Sequence, residues 1–200
     1  MAKLYFRYGA MNSGKTTAML QAAFNYGERD QRAIIVKPGT DTKAGRLVSS
    51  RLGAERDVEV LLGGADSLTT QFEAQNAIAK VDAVFVDEAQ FLTPAQVDEA
   101  FEIAVRRGVP VLCYGLRSDF TTRAFPGSAR LMEVSHTIEE LKTICRCGSK
   151  ALFNARRVDG KFVSQGDQVA IDGQQAEYES VCGRCYMDKV GPVAIPSQVP

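Results

Sequence analysis

Short apolar runs alternate with helically spaced segments over the first two-thirds of the 200-residue chain. Lys3-Leu4-Tyr5-Phe6-Arg7-Tyr8 alternates and is aromatic-rich, which predicts a strand, and residues 17–24 follow with apolar positions at helical spacing. Residues 33–36 read as a short buried strand, 38–56 as an irregular basic segment, and 57–62 as a strand. Leu68, Phe72, Gln75 and Ile78 give 67–80 a helical spacing, and 81–86 is the next strand. Residues 94–107 predict a helix with Pro94 in its first turn, and 109–114 a further strand. Such alternation implies a mainly parallel sheet flanked by helices. From Thr143 the character changes to cysteines, glycines and short β-like runs. The expected division is an α/β domain at 1–143, a small module at 144–190 and a mobile tail at 191–200. The sequence contains no internal repeat and no low-complexity tract.

The composition, 45% hydrophobic and 24% charged, is that of a globular protein. A formal net charge of zero gives no electrostatic footprint for nucleic acid or an anionic membrane. No apolar run approaches the roughly 20 residues of a membrane helix, and residues 1–8 read as a strand rather than an export signal. Five cysteines beside a nucleotide-type loop suit a reducing compartment, so a cytoplasmic protein is expected.

The chemistry starts at Gly9-Ala10-Met11-Asn12-Ser13-Gly14-Lys15-Thr16, a complete G-x-x-x-x-G-K-[ST] phosphate-binding loop between a strand and a helix. Glycines let backbone N–H groups turn towards phosphate, Lys15 supplies a point charge, and the Thr16 hydroxyl is placed to ligate Mg²⁺. The following helix aims the positive end of its dipole at the same anion. ATP with Mg²⁺ is the expected ligand, on a P-loop NTPase-type (RecA-like) α/β sheet. The run at 83–86 is apolar throughout, as a strand buried on both faces should be, and ends in Asp87-Glu88. At the carboxyl end of such a strand, Asp87 is positioned to hold Mg²⁺, and Glu88 to take a proton from an attacking hydroxyl or water.

Cys145-Arg146-Cys147 and Cys182-Gly183-Arg184-Cys185 form two close pairs, a pattern that matches a closed tetrahedral Zn²⁺ site. Such an ion would staple a module too small to have its own core. Free thiols and two disulfides are the alternatives. Cys113 reads as a small buried hydrophobe. His136 reads as structural or surface, in a polar and helical stretch. Arg156-Arg157 reads as a solvated basic pair, and Phe153, Phe162 and Tyr186 as packing.

Together with Val86-Asp87-Glu88-Ala89-Gln90-Phe91 and Tyr114-Gly115-Leu116-Arg117-Ser118-Asp119-Phe120, these motifs resemble the type II thymidine kinase family, over about residues 3–188. The resemblance implies an ATP:thymidine 5′-phosphotransferase with Glu88 as general base and Gln90 in a supporting role. It places Asp87, Glu88, Ala89 and Gln90 with the loop around ATP. Leu116, Phe120, Phe125 and Met11 would line the nucleoside pocket. A loop at about 163–178 would close over the base, with Val169, Ala170, Ile171, Asp172 and Gly173 nearest it and Tyr178 packing beside it. A homotetramer and feedback by deoxythymidine triphosphate are further implications. The chain departs from the family pattern at Lys43, where Arg is usual; Lys lacks a bidentate fork, so Lys43, Arg46 and Arg51 are all candidates for the phosphate-stabilising cation. The single glycine of Asp172-Gly173, where two are usual, bears on how strictly thymidine is preferred over deoxyuridine. The alternative from another class is a P-loop ATPase whose zinc ribbon binds nucleic acid, which would need a basic surface. A third reading, a nucleotide-binding regulatory module, would leave Glu88 idle.

Overall fold

A computed structural model describes residues 2–39, 47–168 and 176–193. The chain runs through β1 (Leu4–Tyr8), α1 (Lys15–Gly27), β2 (Ala33–Pro38), β3 (Leu47–Ser49), β4 (Glu55–Asp57), β5 (Val60–Leu62) and α2 (Leu68–Ile78). It continues with β6 (Ala83–Val86), a 3-10 turn (Ala89–Phe91), α3 (Pro94–Glu102) with a π-helical turn (Ile103–Arg107), β7 (Val111–Gly115), α4 (Pro126–Val134) and β8 (Thr137–Glu140). The remainder is β9 (Thr143–Ile144), β10 (Lys150–Ala151), β11 (Phe153–Val158), β12 (Lys161–Val163), β13 (Ala176–Val181) and α5 (Gly183–Lys189).

Six parallel strands make the central sheet, in the order β5-β2-β6-β7-β1-β8. Both faces are covered, so the inner strands are buried on alternate residues in opposite directions. Ile34, Val36, Val84 and Val86 pack with Leu68, Phe72, Val97 and Leu131 from α2, α3 and α4. Ala33, Ile35, Ala83 and Phe85 pack with Met19, Leu20 and Ala23 of α1. Phe85 lies between Tyr26, edge-on at 5.7 Å, and Tyr114, stacked at 6.5 Å. This packing fixes the end of β6, where Asp87 and Glu88 follow. Thr93 and Gln96 form a reciprocal capping box on α3, with Pro94 in the first turn.

Beyond Glu140 the chain forms smaller sheets: the β9–β10 pair, and β12-β11-β13 in antiparallel order. Cys145, Ala151, Ala155, Val181, Cys182 and Tyr186 form a separate buried cluster there. Among the described residues, no helix is long and apolar enough to cross a membrane.

Three sequence expectations need correction. Part of the segment read as irregular is a hairpin, β3–β4, whose Val48 is buried against the α1 face of the core. The stretch around His136 is not helical: α4 ends before it and β8 follows, adding an edge strand beside β1. His136 is nevertheless structural, as its Nδ1 accepts from the Leu4 N–H at 3.0 Å and its ring stacks on Phe101 at 5.2 Å. Arg156 is not solvated but buried, with its guanidinium 3.8 Å from the centre of the Phe120 ring. Residues 194–200, most of the expected tail, lie outside the described residues.

Candidate active site

The phosphate loop leaves β1 and enters α1 through Gly14, which caps the helix at φ 77° with no side-chain hydrogen bond. The first-turn N–H groups of α1 are therefore left without a capping side chain, an arrangement that suits an anion. The loop is tightly packed from behind: a Cβ at Gly9 would lie 2.3 Å from Ser13 Oγ and 2.6 Å from the Leu141 carbonyl oxygen. Among the described residues, Lys15 Nζ donates to loop carbonyls, Ala10 O at 3.0 Å and Gly9 O at 3.4 Å. Burial lowers its pKa, against the pull of Glu88 and Asp87 in the opposite direction.

Asp87 is buried at the end of β6, its N–H bonded to the Val36 carbonyl at 3.0 Å. Burial first, and then the neighbouring Glu88 charge, push its carboxyl up to about 6. The site thus holds a desolvated cation and a desolvated carboxylate, both disfavoured in their charged forms. A triphosphate on Lys15 and a divalent cation on Asp87 would relieve both, so the donor set fits magnesium-bound ATP.

Glu88 adopts a left-handed backbone conformation, φ 49° and ψ 42°. This is a strained state for a residue with a side chain, held because β6 and the 3-10 turn fix both sides. Its carboxylate accepts a short hydrogen bond from Gln90 Nε2. Gln90 Oε1 in turn accepts from the Leu116 N–H at 3.0 Å, and Gln90 is fully buried. The amide therefore bridges the candidate base to the loop after β7.

Two cavities meet at this point. One, of about 770 Å³, runs along the phosphate loop and includes Lys15 and Thr16 together with Ser50 and Arg51 from the β3–β4 turn. The other, of about 370 Å³, is walled by Phe91, Phe120, Phe125 and Tyr178, with Lys37 and Asn154 among its polar lining. Met11, Glu88 and Leu116 line both. Phe91 and Phe125 meet edge-to-face at 5.6 Å. Asp119 Oδ1 accepts from Thr121 N–H, Thr121 Oγ1 and Arg123 N–H, which fixes the turn that presents Phe120. Tyr186 OH donates to the Phe120 carbonyl at 2.6 Å from the C-terminal side.

The Sγ atoms of Cys145, Cys147, Cys182 and Cys185 lie within 4.8 Å of one another. Cys147 and Cys182 are 3.6 Å apart, close to the roughly 3.8 Å that Zn–S bonds of about 2.3 Å give in a tetrahedron. The cysteines are free rather than bridged. Within the cluster the Ser149 N–H and hydroxyl hold the Cys147 thiol down to about 6, while the three neighbouring thiols push Cys185 up to about 12. The four residues could hold a metal ion. Cys113 is buried in β7, where desolvation pushes its thiol up to about 12.

The thymidine kinase family model matches residues 2–186. The chain belongs to the thymidine kinase family. It is 43% identical to a thymidine kinase of Chromobacterium violaceum over 188 residues, 93% of this chain and 98% of that one. It is 44% identical to one of Photobacterium profundum over 193 residues, 96% of this chain and 100% of the other. A thymidine kinase of Mesorhizobium japonicum is 44% identical over 196 residues, 97% of this chain and 95% of its own. A Bacteroides Pif1 structure bound to single-stranded DNA superposes with a TM-score of 0.40 at 16% identity, over 70% of this chain and 38% of its own, too loosely to bear on the site.

In this thymidine kinase family member, the residues expected at the site are distributed unevenly. Met11, Leu116, Phe120, Phe125 and Tyr178 meet around one cavity. Gln90 lines that cavity rather than the phosphate-loop cavity, and Ala89 is buried in the main core and lines neither. Val169, Ala170, Ile171, Asp172 and Gly173, with Lys43 and Arg46, lie outside the described residues; Arg51 borders the phosphate-loop cavity. Asn154 and Asp119 line the cavity without an individual role expected from the sequence, and Gln168 lines it from within the loop at about 163–178 expected to close over the base. Asp119 belongs to the Tyr114–Phe120 motif, so its place near the site is legible from the sequence. Asn154 carried no local signal, since its contact with Met11 spans 143 residues.

Proposed function

We propose that this protein transfers the γ-phosphoryl group of ATP to the 5′-hydroxyl of thymidine, giving thymidine monophosphate. The observation that carries this reading is the junction of the two cavities at Glu88. A triphosphate on the loop and a nucleoside among the aromatic walls would bring donor and acceptor together beside that carboxylate. Phe120, Phe125 and Tyr178 offer apolar faces to a pyrimidine, while Met11 and Leu116 close the cavity towards the phosphates. In-line phosphoryl transfer asks mainly for positioning and charge neutralisation. Lys15 neutralises the transferring phosphate, Thr16 and Asp87 hold magnesium, and Glu88 accepts the proton of the attacking hydroxyl. Magnesium, when bound, spreads the charge of the β- and γ-phosphates. Gln90 holds the Glu88 carboxylate against the Leu116 backbone and leaves its second oxygen for the acceptor.

The four cysteines hold a structural zinc ion with no ligand position left for catalysis, in a C-terminal module beginning near residue 144. The chain works in the cytoplasm as a homotetramer, with deoxythymidine triphosphate as feedback inhibitor and without a nucleic-acid or membrane partner. The experiment incubates purified protein with γ-labelled ATP, Mg²⁺ and each of the four deoxynucleosides. Label on thymidine, with little on deoxycytidine or the purines, is the expected result. Label on no nucleoside, with ATP turnover stimulated by polynucleotide, would replace this reading with the nucleic-acid ATPase. The same preparation should carry about one zinc per chain.

A further inference from the structure

The antiparallel register of β11 and β13 sets Asn154 directly opposite Ser180. Both side chains leave their own sheet and grip the phosphate loop at one residue. The Met11 N–H donates to Asn154 Oδ1 at 2.7 Å, and the Ser180 hydroxyl donates to the Met11 carbonyl oxygen. A third, longer contact runs from Thr143 Oγ1 to the Asn12 carbonyl at 3.4 Å. Among the described residues, these are the side-chain hydrogen bonds that tie the loop to the chain beyond Lys142.

Met11 is where such a grip matters. It lines both cavities, and the next residue, Asn12, sits in the left-handed region at φ 62°. Asn takes that conformation more readily than most residues, so the turn itself costs little, and what needs holding is the position of the Met11 peptide groups beside it. Inside the loop the hydrogen bonds run from Ser13 N–H to the Ala10 carbonyl at 3.3 Å and from Lys15 Nζ to the Ala10 and Gly9 carbonyls, and these do not engage Met11. Both main-chain polar groups of Met11 are instead satisfied from outside, by two neighbouring side chains of another sheet. Alternate residues of a strand share a face: Tyr178, Ser180 and, just past the strand end, Cys182 follow one another at that spacing. One strand therefore presents a wall of the aromatic cavity, the hold on the phosphate loop and a member of the cysteine cluster.

We infer that Asn154 and Ser180 are positioning residues that hold the phosphate loop in its triphosphate-binding shape through the Met11 backbone. This rests on the kinase reading for the identity of the triphosphate. Ser180→Ala is the cleaner test, since Ser180 lines neither of the two substrate cavities. Ser180→Ala and Asn154→Ala should each raise the ATP Kd, titrated without nucleoside, by about tenfold, and Ser180→Ala should raise the ATP KM alike with kcat changed less than about threefold. Ser180→Thr, which keeps the hydroxyl, should bring the ATP Kd back to within about twofold of wild type. The double variant should fall short of the product of the single effects, because both act on one residue. Hydrogen exchange at the Met11 amide should quicken in Asn154→Ala. An ATP Kd within about twofold of wild type in both single variants overturns the inference, whether or not their melting temperatures fall. Because ATP binding is read without an acceptor, failure of the kinase reading would show separately, as absence of label on every nucleoside.

Discussion

Glu88→Gln is expected to lower kcat by about 10²–10³-fold while leaving KM for ATP and thymidine within about threefold. General-base catalysis contributes roughly 10²–10⁴-fold, and a loose phosphoryl-transfer transition state places the effect towards the lower part of that range. Gln retains an oxygen that accepts the Gln90 Nε2 hydrogen bond, so the bridge to Leu116 survives. It can adopt the same left-handed backbone conformation as Glu88 at a similar cost. The substitution therefore removes the proton acceptor with little else. Steady-state kinetics with a thermal melt alongside decide the matter: a kcat within tenfold of wild type, at equal stability, would mean that Glu88 is not the base.

Asp87→Asn should do two opposite things. Activity is expected to fall by at least about 10²-fold, because a charged magnesium partner at the triphosphate is lost. Stability of the ligand-free protein is expected to rise. The carboxyl of Asp87 is raised from its ordinary value of 3.8 to about 6, chiefly by burial. A folded state that binds the proton more tightly than the unfolded chain loses stability as pH climbs from about 4 to about 6, and the loss is complete above that. A shift of about two units corresponds to a penalty on the order of 2–3 kcal/mol at neutral pH. Asn does not titrate and escapes it. The melting temperatures of variant and wild type should therefore coincide near pH 4 and separate by several degrees above pH 7. Magnesium-bound ATP should close the gap by stabilising wild type more than the variant. Equal melting temperatures across that range would show that burial does not tax the Asp87 charge.

The parts of this site that were legible in the sequence are those whose chemistry is local. Eight consecutive residues specify the phosphate loop, and an apolar run ending in two acids specifies β6 and its carboxylates. The cysteine pairs are legible because each pair is short-spaced, and the fold brings all four sulfurs within 4.8 Å. What stayed hidden depends on distant partners. Arg156 reads as a surface cation, yet the Phe120 ring and the carbonyls of Asp167 and Gln168 receive its guanidinium in the interior. Those partners lie on other segments, and no spacing rule connects them. β8 is not legible because Thr137-Ile138-Glu139-Glu140 has a strand's position at the sheet edge but a polar composition suited to a helix. Gln90 is legible as part of a motif, but its bridging geometry appears only once the turn after β6 meets the Leu116 backbone.

The proposal stands or falls on Glu88 facing an acceptor hydroxyl across the junction of the two cavities. A crystal structure with thymidine and a non-hydrolysable ATP analogue tests this most directly. The account predicts a Glu88 carboxylate oxygen within about 3 Å of the thymidine 5′-oxygen, or joined to it by one water, with that oxygen in line with the γ-phosphorus. A Glu88 carboxylate turned away from the 5′-oxygen, with another group in hydrogen-bonding reach of it, would contradict the account.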